Sequence, residues 1–115
     1  MALLHATSGD LIPALPLGPD LRHTPTHALV KGTHLEVIRV VLPTGKSMPS
    51  HQVAGEITLL CIEGVMELRT ERGSQLLRQG DLVYLAGGES HALQGLDDAS
   101  AIVTISLPTT SLRPI

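Results

Sequence analysis

The sequence predicts an all-β domain, a small barrel or sandwich. Short runs rich in β-branched residues recur along the chain, turn compositions of Gly, Asp, Glu and Ser separate them, and no stretch carries the apolar period of a long amphipathic helix. No internal repeat or low-complexity segment competes with that reading. A chain of 115 residues is expected to build one core, because domains typically hold about 100–150 residues. Apolar residues make up 43% of it, yet they include one tyrosine, no phenylalanine and no tryptophan. Leu, Val, Ile, Ala and Met must therefore fill the interior, and a ligand that needs an aromatic platform would find only Tyr84.

Residues 1–25 carry Pro13, Pro16, Pro19 and Pro25 with Gly9 and Gly18 between short apolar runs. That composition resists regular structure and predicts an extended arm, leaving residues 26–115 as the barrel domain. The arm's Leu11, Ile12, Leu15 and Leu17 are poorly placed in water, so the arm is expected to lie over the barrel of its own subunit or of a neighbour. Residues 33–42, THLEVIRVVL, stop at Pro43-Thr44-Gly45 and read as a strand. This strand is apolar on both faces, with Leu35, Val37 and Val41 opposite Ile38, Val40 and Leu42, which points to protein on both sides and hence to a homodimer. Arg39 is the odd charge on it, suited to clamping a carboxylate of a ligand or to anchoring an acidic partner across an interface. Further strands are expected near residues 57–62, 65–70, 75–78, 82–85, 91–93 and 101–107. The connections include Glu63-Gly64, Gly87-Gly88-Glu89 and Asp97-Asp98, all of which read as turns.

Composition also limits the partners. The net charge is −3, and the basic residues are scattered singly, so nothing favours a nucleic-acid partner. The single cysteine, Cys61, excludes an intrachain disulfide and fits a reducing compartment. Residues 1–10 lack the basic start and apolar run of a signal peptide, and no segment approaches the roughly 18 apolar residues of a membrane span. A cytoplasmic protein without a membrane partner is the expectation. Phosphate loops, GxSxG elbows and paired CxxC motifs are absent from the sequence.

The chemistry concentrates in two segments, Gly45-(x)5-His51-(x)12-Gly64 and Gly80-(x)7-Gly88-(x)2-His91. Each pairs turn glycines with a lone histidine beside apolar strand residues, the arrangement expected when two strands of a small barrel aim imidazoles into one cavity. The spacing resembles the cupin family, in its small single-domain, RmlC-like, type-2 form, whose motifs read G(x)5HxH(x)3–4E(x)6G and G(x)5PxG(x)2H(x)3N. Gly45, His51, Gly64, Gly80, Gly88 and His91 match. Val53 stands at the second histidine, Ile57 at the glutamate, Ala86 at the proline and Gly95 at the asparagine, so two of the four family ligands are kept.

The resemblance implies a double-stranded β-helix, a jelly-roll barrel, and a site in its hollow. In the usual register His51, Val53, Ile57, Leu59 and Cys61 share the inward direction, with His91 and Leu93 facing them. Tyr84 joins the expected lining and could donate a proton, as tyrosine does in metal-free sugar epimerases of the superfamily. Two imidazoles need a further donor to make a strong metal site. Glu56 completes such a set if a bulge at residues 54–55 turns it inward; without the bulge it faces solvent. Cys61 reads as a packed core residue, or alternatively as a soft ligand in the cavity. Two functions follow. In the first the hollow binds a small, mostly apolar molecule, with or without one divalent ion (Zn, Fe, Mn or Ni). In the second His51, His91 and Glu56 hold a metal for a dioxygenase, isomerase or decarboxylase. The sequence leaves open whether the protein is an enzyme.

Overall fold

The computed structural model describes residues 4–108, and its seven strands are all antiparallel to their neighbours. In chain order they are β1 (His27–Lys31), β2 (Leu35–Leu42), β3 (Ser47–His51), β4 (Ile57–Thr70), β5 (Gly73–Arg78), β6 (Leu82–Leu85) and β7 (His91–Ser106). β4 and β7 are long and run side by side, and each serves two layers. The first half of β4 lies between β6 and the second half of β7, which continues to β2 and β1. The second half of β4 lies between β5 and the first half of β7, which continues to β3.

What turns the corner between these layers is a run of irregularities in β4, where the pairing with β7 slips between Cys61 and Glu63, between Glu63 and Val65, and between Val65 and Met66. Gly64 sits there with φ +72°. A Cβ on it would fall 2.1 Å from the Asp98 carbonyl oxygen and 2.2 Å from that of Asp97, so glycine is required on both steric counts. The expected turns at Glu63-Gly64 and Asp97-Asp98 are thus corrected. Both are bends inside continuous strands, and the turn-forming residues serve to fold a strand over instead of ending it. Two strands were not foreseen, β1 and β3, the latter carrying Pro49 in the sequence SMPSH.

The core is filled as alternation dictates. Val40 and Leu42 of β2, Ile57, Leu59 and Cys61 of β4, and Ala99, Ala101 and Val103 of β7 meet Met66, Leu68, Leu77 and Leu93 from the other layer. Aliphatic and sulfur-bearing side chains fill this space without an aromatic ring, as the composition requires.

The second half of the outward face of β2 is buried too, but against the chain's own arm. Val41 is fully buried although it lies outside the core cluster, and Arg39 is 3% exposed. Over them run residues 13–18, followed by a 3-10 helix, Gly18–His23, whose Leu21 is 2% exposed. Arg39 donates to the carbonyls of Pro13 (3.2 Å) and Leu15 (3.0 Å). The Glu63 carboxylate accepts from the backbone N–H groups of Leu17 (2.8 Å) and Gly18 (3.0 Å), and from the Ser100 hydroxyl. Within the chain, the Arg39 guanidinium is thus engaged by the backbone of its own arm. Among the described leucines of the arm it is Leu21 that is buried, while Leu11 (97% exposed) and Leu15 (74%) point to water.

At the arm's junction with β1, Thr26 accepts a 2.8 Å hydrogen bond from the backbone N–H of buried Val41 through its hydroxyl oxygen. Thr26→Val keeps the shape and strands that donor, so a loss of about 1–2 kcal/mol is expected in urea unfolding.

Candidate functional site

A cavity of about 100 Å³ opens between the layers, lined by Thr26, Ile38, Val40, Met48, His51, Val53, Ile57, Leu59, His91, Leu93, Val103 and Ile105. Its wall is overwhelmingly aliphatic. The two histidines supply most of its polarity, and the strand pairing explains why they meet: His51 of β3 lies opposite His91 of β7. Opposed residues on one sheet face have Cβ atoms about 5 Å apart, and the ring centroids stand 4.5 Å apart at an interplanar angle of 53°. His91 is 5% exposed, whereas His51 is exposed at the rim. One imidazole is a wall of the hollow and the other stands at its mouth.

Each ring is fixed by its own backbone. His51 Nδ1 lies 3.2 Å from the Pro49 carbonyl oxygen and His91 Nδ1 lies 3.1 Å from that of Glu89. A carbonyl can only accept, so each Nδ1 carries the proton, and in the neutral ring each Nε2 is left with its lone pair. Among the described residues neither Nε2 has a hydrogen-bond partner. Two residues that line the hollow thus each keep an acceptor of the same kind.

The structure brings His51, Val53, Ile57, Leu59, His91 and Leu93 to this cavity. Three expected members lie elsewhere. Cys61 points inward but is packed in the core away from the cavity lining; its thiol donates to the Glu63 carbonyl oxygen (3.4 Å), and burial raises its pKa, which disfavours the thiolate. Tyr84 faces outward because its neighbour Leu85 takes the inward position on β6. Glu56 accepts the Tyr84 hydroxyl hydrogen bond, and both line a shallow outer groove with Leu35, Thr58, Thr104 and Ser106. That bond favours the protonated phenol and raises the Tyr84 pKa. No bulge turns Glu56 in: Gly55 packs against the Ser106 backbone, Ile57 points to the core, and alternation sends Glu56 out.

Thr26, Ile38, Val40, Met48, Val103 and Ile105 also line the cavity. Alternation along residues 35–42 and 101–107 already held the signal for Ile38, Val40, Val103 and Ile105. Met48 had none, since β3 itself was unforeseen.

A cupin metal centre needs three or four converging protein donors. Among the described residues no group of three His, Cys, Asp or Glu side chains is placed to hold a metal ion. Val53 and Ile57 stand in the cavity wall where the family's other ligands are expected, and neither has a donor atom. The residues present do not fit the family's metal set.

No protein-family model and no curated protein matches the chain. Solved structures do. A conserved protein of unknown function from Streptococcus pyogenes matches with a TM-score of 0.72 at 17% identity, over 96% of this chain and 100% of that one. An RmlC-like cupin family protein with a double-stranded β-helix fold, from Methanocaldococcus jannaschii, matches with a TM-score of 0.71 at 22% identity, over 86% and 94%. Salicylate 1,2-dioxygenase from Pseudoaminobacter salicylatoxidans matches with a TM-score of 0.60 at 15% identity, over 63% of this chain and 21% of that protein. At such identities the likeness establishes the architecture: this is a small domain of the cupin fold, a double-stranded β-helix. That fold hosts enzymes and proteins of unknown function alike, so the activity has to be argued from the site. No helix among the described residues is long and apolar enough to cross a membrane.

Proposed function

We propose that this cupin-fold domain binds a small, mostly apolar molecule, whose carbon skeleton fills the hollow and whose polar end donates hydrogen bonds to His51 and His91. The observation that carries this reading is the placement of Val53 and Ile57 in the cavity wall beside the two imidazoles. Aliphatic side chains in those positions exchange ligating capacity for apolar surface. The size follows from the volume: an engineered apolar cavity of about 150 Å³ takes benzene, so about 100 Å³ suits a skeleton of a few carbons. The polarity follows from the rings, since an Nε2 lone pair accepts from an ammonium or hydroxyl group and offers no proton to a carboxylate.

The test is a titration of the tag-free protein with isobutylamine and, separately, with isobutyrate, followed by two-dimensional NMR. Isobutylamine is expected to shift the ring signals of both histidines and the methyl signals of Val53, Ile57 and Leu59, while isobutyrate leaves them in place. His91→Leu is expected to abolish the distinction between the two. Equal shifts from both compounds, or shifts confined to the outer surface, would overturn the proposal.

A further inference from the structure

A third donor-bearing side chain, Met48, lines the hollow with the two imidazoles. Met48 and His51 are three residues apart, and on a regular strand they would point to opposite faces. Opposite them, Leu93 and His91 are two apart. β3 pairs Met48 with Leu93 and His51 with His91, and its register slips between them, so β3 carries one extra residue over this step. That bulge brings both side chains to the same cavity. Pro49 lies within the slip, where a missing backbone donor costs the ladder least.

The resulting set is one thioether and two imidazoles. The imidazoles are prepared as ligands, because a ring that donates its Nδ1–H to a backbone carbonyl presents Nε2 in a fixed direction with raised basicity. Thioether sulfur is a poor ligand for hard divalent ions and a good one for cuprous ion. Electrostatics points the same way. None of the three donors carries a charge, Glu56 is turned out, and the wall is aliphatic. A monovalent ion in that setting meets a much smaller desolvation penalty than a divalent one, since the Born cost rises with the square of the charge.

From this geometry we propose that Met48, His51 and His91 form a binding site for Cu(I). It uses the same imidazoles as the small-molecule site but rests on a separate observation, the inward turn of Met48. One soft ion and one donor-bearing molecule would then compete for the two Nε2 atoms.

The experiment is an anaerobic competition of the full-length, tag-free chain with the chromophoric Cu(I) chelator bicinchoninate. The protein is expected to withdraw one equivalent of copper. Met48→Leu, which conserves volume, should weaken binding at least about tenfold (about 1.4 kcal/mol), His91→Leu should abolish it, and Cys61→Ala should leave it unchanged. Silver(I), a redox-inert stand-in, should shift the ε-methyl NMR signal of Met48 and leave that of Met66 in place. The assignment is overturned if wild type leaves the copper with the chelator, if Met48→Leu binds as tightly as wild type, or if Cys61→Ala removes the copper. Isobutylamine shifts measured on metal-free Met48→Leu keep the two readings separate, because losing the thioether should leave the amine response intact.

Discussion

Arg39→Ala is expected to destabilise the protein by about 3 kcal/mol and to free residues 13–18 from the barrel. Arg39 is 3% exposed, and each buried polar group left without its partner typically costs about 1–3 kcal/mol; the loss also removes the positive charge that helps to keep Glu63 ionised. The guanidinium also holds two backbone carbonyls that would lose their partner. Urea unfolding gives the energy, and amide exchange at Leu17 and Gly18 reports the release. Arg39→Met should cost less than alanine, since it restores the apolar packing of the arginine stem. Unchanged exchange at Leu17 and Gly18 in Arg39→Ala would mean that Arg39 does not hold the segment.

The same contact gives the arm a pH dependence of definite sign. Burial by itself raises the Glu63 pKa, but hydrogen bonds from Ser100, Leu17 and Gly18 and the nearby Arg39 charge outweigh it and leave the pKa below its ordinary value. A carboxylate with a depressed folded pKa contributes stability that is fully present above the unfolded value of about 4.3. That contribution is lost as pH falls through the depressed folded value. Protection of Leu17 and Gly18 should therefore fade in acid, and Glu63→Gln should remove this part of the pH dependence.

The second large effect is a gain. Val53→His combined with Ile57→Glu should create a metal site and make stability metal-dependent. Both positions line the cavity with His51 and His91, so the double variant gathers three imidazoles and a carboxylate at one place. Without metal, a glutamate at the 3%-exposed position of Ile57 is an unpaired buried acid, and a loss of several kcal/mol is expected. With Zn(II) or Mn(II) at about a thousand times the dissociation constant, roughly 4 kcal/mol returns through binding to the folded state alone. Thermal unfolding with and without the ion reads this directly, and adding His91→Ala to the double variant should erase most of the rescue. No metal response would show that the two aliphatic residues do not occupy ligand positions.

Much of the architecture was legible because strands announce themselves through β-branched runs: β2, β5 and β6 lie within about two residues of where Thr33 to Leu42, Gln75 to Arg78 and Leu82 to Leu85 suggested. β3 was hidden because Ser47, Pro49, Ser50 and His51 carry no strand propensity, and the long strands looked broken because a bulge uses the same residues as a turn. In the site, His51 and His91 stood out through the glycine spacing around them and its resemblance to the cupin motifs. Tyr84 lies outside the hollow, Glu56 takes the solvent-facing of its two readings and Cys61 the packed-core one. Counting alternation across the loop at residues 52–56 and along β6 needs a register, and register comes from pairing partners that are distant in the chain. Arg39 stood out correctly as anomalous, but its partners are the main-chain carbonyls of a segment more than twenty residues away, which no local pattern reveals.

The way the arm is fastened leaves it unusual freedom. Every polar grip on residues 13–18 falls on a peptide group, and Leu15 turns its side chain to water even as its carbonyl is held. The exposed side chains of residues 13–16 are accordingly open to rewriting by drift or by an engineer, provided the spacing of carbonyls and amides is kept. A tag, a charge cluster or a recognition sequence placed there would ride on the outside of the barrel without disturbing the hollow beneath.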